Sequence, residues 1–362
     1  MTKKITICVL AFLAFGLFAK SQNLGELKSK VANSGQNPKK KASKEVYISN
    51  FNVLVEIYRE DTDYKAKREF RGKGRGEAKA NAALGLSGVD AIKLQEKVDQ
   101  LYKELVADLE SKGFTILEAD AVKDTKFYKK AIPLNGPVLR ESANPGMLEI
   151  IPTNFKGYAS VKDAEGTSSK KSGLFSGFKA VGKAVSGGNN ALSKEINDAI
   201  VLDINLVMSW SETGGSWLKS LGGANARIKT NLTLGSKAIT APKKKGIRFK
   251  GAEDVYNLET DFNLSQGSGL RKTVWKGYLK KPLTIEGVIE DTKVESYNRG
   301  EASQSYDVGN IYTVTYWEST ISENAKMVAV DPDKFANALY LSGKTFIDDQ
   351  LNYMFEKYSK VK

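Results

Sequence analysis

Residues 199–211 read AIVLDINLVMSWS. On an extended chain Ile200, Leu202, Ile204, Leu206, Met208 and Trp210 fall on one side and Asp203, Asn205, Ser209 and Ser211 on the other, because successive strand side chains point to opposite faces. A helix would scatter these apolar residues around its circumference, so the period of two predicts one long, half-buried strand. Beyond a glycine-rich link holding Trp217, Ala226, Ile228, Leu232 and Leu234 alternate with Asn225, Arg227, Lys229, Asn231 and Thr233. The two segments form a hairpin with one face to bury. Two environments meet that need: a sheet roofed by helices, or a membrane wall whose apolar side meets lipid. A lipid-facing barrel made by one chain needs at least about eight such strands, so the second environment requires several copies to share the wall.

The roof is also legible. Asp90 caps a helix running to about Lys112, in which Leu94, Val98, Leu101, Tyr102, Leu105 and Leu109 recur at steps of three and four, and Gly113 stops it. A second amphipathic helix closes the chain: Asp331 as cap, Pro332 in the first turn, then Phe335, Leu339, Phe346, Ile347, Leu351, Met354 and Phe355 on one stripe. Upstream, EVYISNFNVLVEIY (45–58) has the β-branched and aromatic content of a strand, and Phe114 to Leu117 reads as another. Asp120 opens a further helix that turns Phe127 and Tyr128 inward, and MLEIIPT and FKGYASV add strands between Gly146 and Val161. More strands are expected at 246–250, 255–264, 273–279, 283–289 and 305–319; the last places Tyr306, Val308, Tyr312, Val314 and Tyr316 on one face, for core packing or a glycan platform. The fold class is therefore α+β. A layered α/β unit (45–161) carries amphipathic helices on a largely antiparallel sheet, and a β-rich second half (191–362) ends in the C-terminal helix; one domain can hold both.

Three segments lie outside this plan. MTKKITICVLAFLAFGLFAKSQ (1–22) has the layout of a signal peptide: Lys3 and Lys4, an apolar run to Ala19 and a polar end. Cys8 sits within that run rather than after small residues, so no lipid anchor is expected, and no later stretch approaches the length of a spanning helix. Residues 23–44 form a basic, flexible leader whose Lys39, Lys40 and Lys41 offer an anion contact. The connector 59–88 adds Lys67, Arg68 and Arg71 among Gly72, Gly74 and Gly76, and reads as a solvated, mobile loop rather than a dinucleotide fingerprint. Residues 162–190 are Gly/Ser/Lys-rich and contain GLFSGFKAVGKAVSGG, in which Leu174, Phe175, Phe178, Val181 and Val185 share a helical face with Lys179 and Lys183 away from it. That pattern suits a membrane surface or a partner; a helix docked on its own sheet, or a loop, satisfies it too.

Composition narrows the chemistry. With no histidine and a single cysteine in 362 residues, the chain cannot build a Ser-His-Asp triad, a Cys-His pair or an imidazole-ligated zinc site. Adjacent acids at Asp61/Asp63, Glu290/Asp291, Asp331/Asp333 and Asp348/Asp349 read as caps, turns and solvated faces. Ser216 and Lys219 match Ser-x-x-Lys without its partner motifs, and Ser342–Thr345 imitates the end of a phosphate loop inside a helix. No catalytic, cofactor-binding or metal-ligating set is read, and no cofactor is implied. The formal charge of +13 favours an anionic partner; export disfavours nucleic acid.

LYKELVADLESKGFTILEADAV, VLDINLVMSWSETGGSWLKSLGGANARIKTNLTL and DPDKFANALYLSGKTFIDDQLNYMF, taken in that order, resemble the curli-secretion channel (CsgG-type) family and its soluble relatives with an α/β domain like the amino-terminal domain of TolB. The resemblance implies an oligomeric envelope protein that handles export or organises surface assemblies, its Gly-rich hairpin in the place of a membrane-inserted one. The family is lipid-anchored, whereas this chain lacks the required cysteine. The expected function is that of a non-catalytic exported binding or scaffold protein in the periplasm or at the outer membrane, meeting an anionic envelope component or an envelope protein, with peripheral membrane contact and self-association compatible with it. The alternative is a ring-forming secretion pore.

Overall fold

The computed structural model of the protein describes residues 22–39, 42–65, 68–70, 73–75, 78–142, 144, 146–160, 188–214, 224–242, 253–298 and 325–360. The chain begins with strands Asn23–Leu24 (β1), Ser29–Asn33 (β2), Glu45–Glu56 (β3), Tyr58–Lys65 (β4), Arg68–Phe70 (β5), Lys73–Arg75 (β6) and Ala78–Ser87 (β7), then helix Ala91–Ser111 (α1). Thr115–Ile116 (β8), Ala131–Asn135 (β9), Val138–Glu141 (β10), Met147–Ile151 (β11) and Lys156–Ser160 (β12) follow, with a short helix at Gly188–Glu195 (α2). The second half contains Ile200–Thr213 (β13), Ala224–Leu234 (β14), Lys237–Pro242 (β15), Glu253–Leu258 (β16), Asp261–Gln266 (β17), Thr273–Leu279 (β18), Leu283–Glu286 (β19), Lys293–Asn298 (β20) and Lys326–Ala329 (β21), then Pro332–Ser359 (α3). The fold is α+β, with helices on a largely antiparallel sheet.

Several of these strands are pieces of one line. β13 is central and pairs in parallel with β3, from Ile200 opposite Val46 to Met208 opposite Val55. Its other edge is occupied end to end by β17, opposite Val201 to Asn205, and β14, opposite Met208 to Thr213. The β15–β16 hairpin leaves the sheet at the break between them. β18, β19 and β20 form the next line, antiparallel to β17 and β14, and β1 and β2 lie outside it against β19 and β18. On the far side of β3 lie β11, β10 and the two-residue β8. The segments 45–161 and 191–362 thus share one sheet.

The helices cover the apolar face. Leu94, Val98, Leu101, Leu105 and Leu109 of α1 and Phe335, Leu339, Phe346, Leu351 and Met354 of α3 are buried in one core with Ile200, Leu202, Ile204, Leu206, Met208 and Trp210. Each such side chain contributes about 2 kcal/mol, so this face outweighs the caps, at about 1 kcal/mol each. The caps are those expected. Asp90 accepts from the amides of Ile92 and Lys93, and Asp331 from those of Asp333 and Lys334. Gly113, past the end of α1, has φ +77°, a conformation that favours glycine. At Gly343 α3 packs tightly on its neighbours: a Cβ there would stand 3.0 Å from Leu101 Cδ1 and 3.1 Å from Leu206 Cδ1. No described helix is long and apolar enough to cross a membrane.

Three expectations are corrected. The leader is part of the sheet: Ser29–Asn33 pairs with Trp275–Leu279, Val31 packs on the core and Pro38 is buried. Its backbone groups complete the open edge of β18, a need that composition cannot reveal. The connector after Arg59 is likewise strand, with Tyr58–Lys65 laddered against Ala78–Ser87. Alanine is a poor strand former, but here Ala80 and Ala82 let β7 lie close against β14 and β20, where Ala224 and Ala226 are also buried. Finally, Asp120 starts no α-helix. Only a 3-10 turn at Ala119–Ala121 forms, although Tyr128 is buried as expected.

Candidate functional site

The side of β13 read as solvated is covered. Asp203, Ser209 and Ser211 are all buried, so this strand is enclosed on both faces. At one end of this second face Tyr47, Val122, Tyr128, Leu192, Ile196 and Val201 cluster; at the other, Leu54, Met147, Val207 and Leu258. Between them runs a polar strip. Asn205 Nδ2 donates to Asp203 Oδ1 and Asp261 Oδ1, 3.0 Å each, and its own Oδ1 accepts from Asn50 Nδ2 at 2.9 Å. Asn50 also donates to Asp203 Oδ1 at 3.2 Å. A register slip between Leu202 and Asp203 brings Asn50 opposite Asp203, and Ser49 Oγ donates to the Leu202 carbonyl there.

Burial, followed by the charge of Asp261, pushes the Asp203 carboxyl up to about 7. Burial likewise raises Asp261 to about 6, against the lowering effect of its amide donors and of Lys276, whose Nζ is 3.8 Å from Asp261 Oδ2. Two carboxylates with raised affinity for protons can in principle exchange one with a substrate. Asp203 and Asp261 are 4% and 1% exposed, so no substrate reaches them in this conformation. Their chemistry is that of a proton-holding pair inside the sheet. Among the described residues no group of three or more His, Cys, Asp or Glu side chains is placed to hold a metal ion.

A second buried polar group sits where β3 ends. β13 slips register between Ser209 and Ser211, so that Trp210 N and Ser211 N both donate to Glu56 Oε2, at 3.0 and 3.1 Å. Ser211 Oγ also donates to Glu56, and Lys237 Nζ lies 2.5 Å from Oε1. The same ammonium donates to Ser211 O at 2.8 Å and Ser211 Oγ at 2.9 Å. A serine beside a lysine suggests a nucleophile and its base. Here the three N–H donors of Lys237 are all engaged, and the Ser211 hydroxyl proton is directed at a carboxylate. Burial pulls the Lys237 ammonium below its usual range, opposed by Glu56 and assisted by the positive charge of Arg59. The cluster therefore joins β3, β13 and β15 without activating the serine.

Strand directions define the third feature. β13 ends at Thr213 beside the start of β14, Asn298 at the end of β20 pairs with Ala224, and Asp61 of β4 accepts from the Arg227 amide. The chain therefore leaves and re-enters the described fold at one end of the sheet between 214 and 224, leaves it there again after Asn298, and β4–β7 points its last pair, Lys65 with Ala78, the same way; the chain re-enters at 325 beside Leu84, at the base of that hairpin. The β15–β16 hairpin leaves the sheet at the middle of β13, with its base tied to that strand by Thr260 Oγ1, which accepts from Val207 N at 2.9 Å. In sequence, the β4–β7 tip carries Lys67, Arg68, Arg71, Lys73 and Arg75, and the link after β15 carries Lys243, Lys244, Lys245, Arg248 and Lys250.

Of the residues singled out from sequence, Lys39 is exposed on the segment leading into β3, and Arg68 lies in β5. Lys40, Lys41, Lys67 and Arg71, and the amphipathic set Leu174, Phe175, Phe178, Lys179, Val181 and Lys183, lie outside the described residues, as do Ser216, Lys219 and the strands expected at 246–250 and 305–319. Two of the acid pairs behave as structural groups: Asp333 pairs with Lys93, and Asp348 with Lys344. Sequence reasoning missed the Asp203–Asp261 and Glu56–Lys237 groups. The one available signal was an acid inside each of two strongly apolar strands, β13 and β3. No protein-family model, no curated protein and no solved structure matches the chain at a significant level.

Proposed function

We propose that the protein is a non-catalytic, exported cell-envelope protein with a binding or scaffold role, meeting an anionic envelope component or an envelope protein through the end of the sheet where its hairpins gather. The observation that carries this reading is the shared polarity of β4, β13 and β20. Their described ends point to one end of the sheet, and the segment that follows β4, with Lys67, Arg68, Arg71, Lys73 and Arg75, is strongly cationic in sequence. A cationic end attracts polyanions and anionic lipid at long range, and salt screens the attraction. The amino-terminal segment supports export. Fractionation of cells followed by salt and carbonate washes tests it: release from membranes by salt is expected, and a protein recovered from cytosol with residues 1–22 intact would refute it.

A second reading, a ring-forming secretion pore like the curli-secretion channel, draws support from the same convergence, since ribbons leaving one end of a subunit are what several copies need to build a common wall. Extraction by detergent alone, as a ring, would favour this reading over the peripheral binder.

A further inference from the structure

Arg59, the second residue of β4, is 8% exposed and stands opposite the buried Leu84 of β7. Its Nε is sealed from solvent without a hydrogen-bond partner, and no described carboxylate pairs with its guanidinium. Three described carboxylates of β3, β13 and β4 have other partners. Glu56 is committed to two backbone amides, a hydroxyl and Lys237. Glu212 on β13 is engaged by Lys229 and by the Asn231 amide. Asp61, two residues along β4, accepts from the Arg227 amide. Lys237, on β15, brings a second positive charge rather than a counter-charge. Among the described residues, the buried cations here are Arg59 and Lys237, and the buried Glu56 is bound to Lys237.

A lysine in this position could shed its proton; arginine cannot, and of its donors Nε alone is sealed without a partner. A buried, uncompensated guanidinium is costly, and its planar fork matches the two oxygens of a carboxylate or phosphate. We infer that Arg59, with Lys237 adding to the local positive potential, forms a binding site for an oxyanion, a carboxylate or phosphate group supplied from outside the described fold. Lys237 has no donor left for the ligand, so recognition falls to Arg59. The site stands on this geometry alone and is independent of where in the cell the protein works.

Thermal unfolding of the purified full chain in inorganic phosphate, in acetate and in chloride, at matched ionic strength, tests it. A saturable rise in Tm with phosphate or acetate, absent in chloride, is expected. Response to phosphate alone identifies a phosphate-bearing ligand, and response to both anions a carboxylate-tolerant site. Arg59→Met should abolish the response while melting in chloride no lower than the natural protein, because the unpaired charge is gone. Should Arg59→Met fail to fold, Arg59→Lys, which keeps the charge and loses the fork, should weaken the apparent affinity at least about tenfold. The Arg59 Nε–H signal in ¹⁵N NMR, assigned by its loss in the variant, should move with phosphate. Equal stabilisation by all three anions, an undiminished response in the variants, or an unmoved Nε–H signal would overturn the site.

Discussion

Asparagine at position 203 keeps the shape of the carboxylate and an oxygen to accept from Asn50 and Asn205, but it cannot ionise. In the folded protein the Asp203 carboxyl is raised from 3.8 to about 7 by burial and by the neighbouring Asp261 charge. Between those values the unfolded chain has released its proton and the folded chain has kept it. Stability from this group is therefore fully present below about pH 4 and is lost as pH rises towards 7. At about 1.4 kcal/mol for each tenfold change, the rise corresponds to at most about 4 kcal/mol, and relaxation around the charge reduces it to about 2. Asp203→Asn should approach the natural protein's stability towards pH 4 and exceed it by about 2 kcal/mol near pH 7.5, measured by urea unfolding at intermediate steps. A natural protein whose stability relative to the variant stays constant across that range, or a variant less stable near neutrality, would refute the reasoning.

Three further outcomes follow from the packing. Glu56→Gln leaves the Lys237 ammonium buried without its counter-charge and should cost about 3–5 kcal/mol in urea unfolding, whereas Glu56→Gln combined with Lys237→Met should recover a large part of that loss. Gly343→Ala gains about 1 kcal/mol of helix propensity but pushes a methyl against Leu101 and Leu206, and crowding of this kind costs about 1–3 kcal/mol; a lower Tm is expected, and a higher one would show that α3 shifts freely on the sheet. Removing residues 22–34 strips β1 and β2 from the sheet and exposes the β18 edge, so light scattering should report aggregation that the intact chain does not show.

Much of the architecture is local and was legible in the residues themselves. The period of two in Ile200–Trp210, the three-and-four steps of α1 and α3, and the Asp90 and Asp331 caps each depend on contacts within a few positions, where steric rules and amide satisfaction act without help from the rest of the chain. The absence of histidine was legible in the same way, and it removed whole classes of active site before any strand was placed. Other features were settled only when distant segments met. Residues 29–33 are too polar to announce a strand, and they become one because β18 has an unpaired edge. Ala78–Ser87 contradicts its weak propensity because only small side chains allow β7 so close to β14. Asp203 looked solvated on its own strand; it is enclosed because both edges of β13 and both faces of the sheet are occupied. Glu56 and Lys237 are 181 positions apart, and Asp203 and Asp261 belong to strands that the β15–β16 excursion separates. A charge changes character when water is removed from around it, and that removal is a property of the assembled tertiary structure, which no periodicity along the chain encodes.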